Sequence, residues 1–510
     1  MAKGNTTRFL STIACAGLAV VINYLISLAL APYITETLGT DAYGFISLAK
    51  TFSQYAIIFT GALNSYAARF ISIAHHKGDT DAEKKYFSSV FYANVILSAF
   101  ILLIAVFVIV FLEQIIQIPT HLVGDVKALF TLNFVNYLVL STGTCFSVYG
   151  YIQNKLALTN LVKMCSYLLE AIVLVCLFRF LTGKLYYVGI ALLVSSLCIF
   201  MLDTIFCKKN LPNLEIRRRH FSLKAVKELV LSGIWNSINS LGNILNTGLD
   251  LLITNLMLTP IAMGQLSIVK TLSTIFVTLF QTVTSPWQPI LLKKYSTGDT
   301  NGTILGFKQG IKITAFFSSL LFAGLIAYGI PYFKLWTPGE DIHLLYSLLI
   351  VTLFSTVIEG AAYPLLYTYT LTLKNKLPCF VTIASGLLNV AGMYAMLKFT
   401  NIGIHSIVLT TSVLAWCVYF VFTPLYTAHC LNVPWYTFYP TLLRVLFAAM
   451  LCTGICLTVA WLWSPTTWLG LICSAVICAV VCAPIYALAV ATKDELKIII
   501  SKLTGRKSEV

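Results

Sequence analysis

Charge is what this sequence lacks. Only 10% of its 510 residues are Asp, Glu, Lys or Arg, against 58% hydrophobic residues. A soluble globule could not cover its surface from so small a polar supply. The mean hydropathy of +0.86 points instead to a polytopic membrane protein, counted in apolar runs of about 20 residues. Acid is scarcer than base, with 19 Asp+Glu against 34 Lys+Arg. In a soluble chain that balance would suggest nucleic acid. Here the cations sit in loops, where they orient helices and touch anionic headgroups, so membrane lipids are the expected partners and nucleic acid is not. Motifs are missing too. There is no GxxxxGK[ST] loop, which excludes ATP hydrolysis by that route, and no CxxC pair, which leaves neither a zinc site nor a disulfide frame. Most of the 14 cysteines, such as Cys145, Cys165, Cys176, Cys198, Cys452, Cys473 and Cys478, lie in apolar runs and read as small hydrophobes. His75-His76 lies in a polar loop and reads as a solvated pair.

What is present is an internal repeat. Residues 34–53, ITETLGTDAYGFISLAKTFS, match residues 253–273, ITNLMLTPIAMGQLSIVKTLS, with one gap. Ile34-Thr35 falls on Ile253-Thr254, Thr40 on Thr259, Gly44 on Gly264, Ser47 on Ser267, Lys50-Thr51 on Lys270-Thr271 and Ser53 on Ser273. Each copy straddles the end of one apolar run and the start of the next, so each marks the same helical corner in two related halves. Weaker likeness follows, Asn154-Lys155-Leu156 with Asn375-Lys376-Leu377 and Ser166-Tyr167-Leu168-Leu169-Glu170 with Ser385-Gly386-Leu387-Leu388-Asn389.

Apolar runs fall at about 9–34, 42–66, 87–112, 127–150, 157–180, 185–207, 229–256, 262–290, 306–333, 344–367, 377–398, 403–428, 437–462 and 467–491, about fourteen spans in all. The first is too long for a secretory core segment, and although Ala29-Leu30-Ala31 resembles a cleavage site, the repeat corner directly downstream favours an uncleaved helix. The even-numbered connections hold the cations: Lys77, Lys84 and Lys85; Lys155; the segment Lys208 to Lys227; Lys293 and Lys294; Lys374 and Lys376; and the tail with Lys493, Lys497, Lys502, Arg506 and Lys507. The odd connections are short, with acids such as Glu36, Asp41, Glu113, Glu340 and Asp341. Both termini are therefore expected in the cytoplasm, and the sequons at Asn5 and Asn301 fall there by chance. The repeat spacing of about 220 residues covers six helices, an even number, so the halves share one orientation and are related by an axis along the membrane normal. The expected all-α architecture is an N-lobe over 1–207, a basic cytoplasmic linker over 208–228, a C-lobe over 229–430, and two extra helices with a basic tail over 431–510. Two such lobes would enclose a central cleft suited to alternating access. The linker, with Lys208-Lys209 and Arg217-Arg218-Arg219, reads first as a topology determinant and only second as a patch that recruits headgroups.

Polar residues inside the spans are the candidate site, because a charged side chain in hydrocarbon costs about 2.5–3.5 kcal/mol even on lenient scales and tends to face a cavity. Lys50 and Lys270 sit about 12 Å into their helices and are candidates for an anion site; the alternative is a structural contact near the interface. Asp250, Glu170 and Glu359 are carboxylates in apolar surroundings, suited to proton uptake or else to packing. Asn23 lies in the first span, and Asn236, Asn239, Asn243 and Asn246 line the seventh, the last three at i, i+4 and i+7 on one face. That stripe can bind sugar hydroxyls or glue helix to helix.

Fourteen spans in two parallel halves, with Leu38-Gly39-x-x-x-Tyr43-Gly44 after the first helix and Asp250 and Gly264 around the corner after the seventh, resemble the O-antigen and capsular oligosaccharide flippases. These form the polysaccharide-transporter branch of the MOP superfamily, with its MATE-like fold. The resemblance implies transfer of an undecaprenyl-pyrophosphate-linked oligosaccharide from the inner to the outer leaflet of a bacterial cytoplasmic membrane. It implies an ion gradient, H+ or Na+, as driving force, no cofactor, and a polysaccharide polymerase and chain-length machinery as further partners. Lys50 and Lys270 would then meet the pyrophosphate, Arg69 would stand at the entrance, and the amides would address the sugars. The sequence departs from a strongly cationic cavity in having few intramembrane arginines. Three other readings stay open: a MATE-type exporter of organic cations, which the two lysines oppose; a membrane glycosyltransferase or polymerase, which the short outer loops oppose; and a passive assembly scaffold.

Overall fold

The computed structural model describes residues 2–153, 155–212 and 214–491, and of residues 2–16, 19 and 20 the helical backbone alone. Asn154, the side chains of the Asn5 sequon and the tail lysines and arginine from Lys493 to Lys507 lie outside the described residues. The described elements are all helical. The spans are α1 (Ala2–Leu38), α2 (Thr40–Tyr55 continued by Ile57–His76), α3 (Thr80–Val110), α4 (Thr120–Ile152), α5 (Leu156–Phe180), α6 (Tyr187–Asn210), α7 (Leu223–Asn243 continued by Asp250–Met257) and α8 (Pro260–Thr284). They go on as α9 (Thr300–Trp336), α10 (Ile342–Leu371), α11 (Lys376–Phe399), α12 (His405–Cys430), α13 (Tyr439–Leu462) and α14 (Trp468–Val490).

Among the described residues, 13 helices are long and apolar enough to cross a membrane, so the chain is an all-helical, multi-pass membrane protein. The helix beyond those 13 is α7. A π-helical turn over Ile244–Gly248 interrupts it, and its first turns carry Lys224, Lys227 and Glu228. The second span runs ten residues past the expected 66, to His76, because Ser65, Arg69 and Ser72 end the hydropathy signal without ending the helix.

By its contacts the chain forms two compact units, one from Met1–Ile268 with Thr382–Tyr394, the other from Val269–Val381 with Ala395–Val510. In the first, Leu63, Phe87, Phe146 and Tyr149 pack into one core. Beside it the Asn64 and Asn94 amides exchange hydrogen bonds of 3.2 and 2.8 Å, and Ser141 donates to Asn94 at 3.4 Å. Such bonds bind helices in a solvent where apolar contact alone gives little selectivity. The second unit has its core around Phe307, Ile311, Phe438 and Leu442. Cys452 and Cys456 on α13 face Cys478 and Cys482 on α14 there, all buried, with Cys456 Sγ 3.8 Å from Cys482 Sγ. Small polarizable thiols at i, i+4 on both helices let the helices approach closely.

The duplication reaches further than the corner. Gly78-Asp79-Thr80 before α3 recurs as Gly298-Asp299-Thr300 before α9, at the same 220-residue spacing as Lys50 and Lys270. Gly78 and Gly298 hold φ of 73° and 76°, the left-handed region open to glycine. Each aspartate then caps its helix, Asp79 accepting from Ala82 N at 2.9 Å and Asp299 from Gly302 N at 2.7 Å. Both α4 and α10 carry a 3-10 turn at matching places, Thr144–Val148 and Tyr363–Leu366.

Candidate functional site

Within the first unit the repeated corners meet. A Cβ placed on Gly44 would lie 2.8 Å from the Gly264 nitrogen, and one on Gly264 would lie 2.1 Å from the Thr40 carbonyl oxygen. The shared glycine is thus the residue that lets the outset of α2 and the outset of α8 touch backbone to backbone. Lys50 follows one and a half turns on from Gly44 along α2. It is half-buried, and its charge acts on the Glu170 carboxylate, which also takes a hydrogen bond from Ser195. Glu170 is 5% exposed, so α2, α5 and α6 converge on one buried acid and its cation. Two turns along the same two helices stands a second acid that the sequence reading passed over. Asp203 on α6 accepts from the Tyr149 hydroxyl at 3.1 Å and lies in the field of Lys163 on α5. A carboxylate inside an apolar run was the available signal for it, as for Glu170. The other half repeats the pair with a neutral partner, Tyr369 donating to Thr423 at 3.3 Å.

The amide stripe divides. Asn239 and Asn243 are exposed with Asn236 on one face of α7, while Leu231, Ile234 and Leu241 are exposed on the other. In a bilayer the apolar face suits lipid and the amide face suits water. Asn246 is different. Its amide donates to Gly242 O and to Thr382 O, both at 2.8 Å, its Oδ1 accepts from Ser385 at 3.0 Å, and its carbonyl accepts from Asn389 at 2.6 Å. It bolts α7 to α11, and the π turn that contains it brings it into reach. Asn246→Ala should therefore lower thermal stability, by about 1–2 kcal/mol on the scale of interhelical hydrogen bonds. Asn239→Ala and Asn243→Ala, whose amides are exposed and make no such bonds between helices among the described residues, should leave the melting temperature of the purified protein unmoved. Asp250 begins the helical segment after that π turn and is buried. Tyr55, which donates to Gly248 O at 2.8 Å, lies within electrostatic range of it. Asn23 is half-buried on α1, its carbonyl accepting from Ser27 at 3.2 Å. Arg69 is exposed on α2, its guanidinium 5.9 Å from the Tyr66 ring centroid.

In the second unit Lys270 is half-buried and heads a ladder of hydroxyls one turn apart. Thr274 donates to Lys270 O at 2.9 Å, Thr278 to Thr274 O at 3.0 Å, and Thr282 to Thr278 O at 2.8 Å. Bonding back to the preceding turn satisfies each hydroxyl hydrogen and leaves the oxygen able to accept. Gln281 at the foot of this ladder hydrogen-bonds Tyr363, which lies beside Glu359. Glu359 on α10 accepts from the Tyr419 hydroxyl at 3.1 Å. Tyr419 sits in a π-helical turn of α12, Cys417–Phe422, and π turns are frequent at functional sites. Tyr363, Gln281 and Tyr419 gave no sequence signal, since only the fold brings them to the acid.

Charged and amide groups thus lie on repeat-related helices of a membrane bundle, and solved structures share its fold. The chain is similar to the lipid II flippase MurJ in an inward closed conformation, with a TM-score of 0.67 at 15% identity over 92% of this chain and 98% of that one. It is also similar to the MATE multidrug transporter DinF-BH, with a TM-score of 0.64 at 14% identity over 84% of this chain and 97% of that one. Among curated proteins it matches the uncharacterized membrane protein EpsK of Bacillus subtilis (strain 168), 26% identical over 492 residues, 96% of this chain and 97% of the relative. The chain belongs to the polysaccharide biosynthesis protein family, whose profile matches residues 9–293.

Proposed function

We propose that the protein is a flippase that moves an undecaprenyl-pyrophosphate-linked oligosaccharide from the inner to the outer leaflet of the bacterial cytoplasmic membrane, for surface polysaccharide synthesis. The observation that carries this reading is the pair of duplicated, half-buried lysines, Lys50 and Lys270, each ten residues into a helix that continues with polar side chains. A cation where the bilayer core begins suits a lipid-linked phosphate. The hydroxyls below Lys270 and the amides of α7 suit sugars, while the prenyl tail remains in lipid. A site for organic cations would be repelled by the same lysines. Glu359, Asp250 and Glu170 are the coupling candidates for H+ or Na+, and the distribution of loop cations supports cytoplasmic termini.

The test is the sidedness of lipid-linked repeat units in cells lacking the gene. Undecaprenyl-linked units should accumulate in the cytoplasmic leaflet, and the wild-type gene should clear them. Normal arrival at the outer leaflet without polymerisation would remove the flippase reading and leave an assembly role.

A further inference from the structure

The connection between α6 and α7 is built as a site rather than left as a charged tether. Orientation of helices needs only charge in a loop, not order. Here Ser88 and Ser89 on α3, both 0% exposed, turn their hydroxyls to the backbone of the connection. Ser88 Oγ donates to Glu215 O at 3.1 Å and accepts from Arg217 N at 3.4 Å, and Ser89 Oγ accepts from Ser222 N at 3.0 Å. Leu211 is buried, Leu214 and Ile216 pack against the first unit's core, and the Phe221 ring meets Tyr92 at 6.1 Å. Between these anchors the extended Arg217 leads into a single 3-10 turn, Arg218–His220, and Arg217, Arg218 and Arg219 are all exposed. Two of the guanidinium groups are oriented, Arg217 Nε by Glu215 at 2.5 Å and Arg219 Nε by His220 Nε2 at 3.2 Å. Leu223, 74% exposed, follows directly, an apolar group beside cations as at a bilayer interface.

We propose that this strap docks the pyrophosphate headgroup of the lipid-linked substrate in the leaflet from which it is taken; the inference rests on the flippase reading. A mobile run of lysines would suffice to attract mono-anionic phospholipid. Adjacent guanidinium forks held on a fixed turn instead match the paired oxygens of a diphosphate, which they can bind bidentately.

The experiment is lipid binding to the purified full-length protein by native mass spectrometry, with undecaprenyl pyrophosphate and phosphatidylglycerol as probes and flipping of the pyrophosphate lipid in proteoliposomes measured in parallel. Arg218→Lys/Arg219→Lys keeps the charge and hence the topology, whereas Ser88→Ala/Ser89→Ala keeps the arginines and removes the anchors. Each pair should weaken undecaprenyl pyrophosphate binding about tenfold and leave phosphatidylglycerol binding unchanged. Wild-type binding of the pyrophosphate lipid by the lysine pair, or an equal loss for both lipids, overturns the docking site while wild-type flipping leaves the function standing. Absence of wild-type flipping overturns both.

Discussion

Gly264→Ala should lower transport about five- to hundredfold in a protein that still inserts and folds. The new Cβ would lie 2.1 Å from the Thr40 carbonyl oxygen and 2.6 Å from its carbon. Both are backbone atoms, so no rotamer change relieves the clash, and the outset of α8 must move away from the outset of α2. Overpacking of this kind costs about 1–3 kcal/mol. The cost falls only on a conformation in which the two corners touch, and a conformation in which they part bears none. For a two-state cycle that difference is about a five- to hundredfold shift in population. Gly44→Ala meets the Gly264 nitrogen at 2.8 Å and the end of the Met263 side chain at the same distance, and should act in the same direction with a smaller effect. Gly454→Ala, on α13 with nothing within 4 Å, is the control. Initial flipping rates in proteoliposomes, read beside thermal melting of the same preparations, decide the matter. Wild-type rates in Gly264→Ala would mean that the corner contact plays no part in the cycle.

That glycine pair shows how far sequence pattern reaches. A residue repeated at one register is legible because the same backbone demand arises twice, and the contact between the two copies is that demand seen in space. Gly78-Asp79-Thr80 and Gly298-Asp299-Thr300 carry the same information at the same spacing and could have been read with it. The spans were legible because hydrocarbon imposes their length and composition. Side-chain partnership was not. Asn246 differs from Asn239 and Asn243 only through the π turn that swings it onto α11, and no periodicity announces a π turn. Glu359 stands out as a charge in an apolar run, yet Tyr419, its hydrogen-bond donor, lies 60 residues away among aromatic residues of ordinary appearance. Lys50 stands out too, and so does Glu170, but that the charge of one acts on the other depends on how the fold arranges α2 and α5.

That association sets two roles for Lys50 against each other, counter-ion of Glu170 or binding group for an anion, and a double substitution separates them. Lys50→Met alone removes the cation whose field acts on the buried Glu170 carboxylate, whereas Glu170→Gln alone leaves a half-buried lysine still in reach of water. Lys50→Met should therefore melt early and transport poorly, whichever role is right, and Glu170→Gln should melt close to the wild type. Lys50→Met/Glu170→Gln removes both charges at once and should recover most of the lost melting temperature, since an uncharged pair of similar volume leaves nothing unpaired. Transport is expected to stay lost in the recovered protein, because the group offered to the substrate phosphate is gone. Full transport in the double variant would reduce Lys50 to a structural counter-ion and shift the search for the anion site to Lys270 and Arg69.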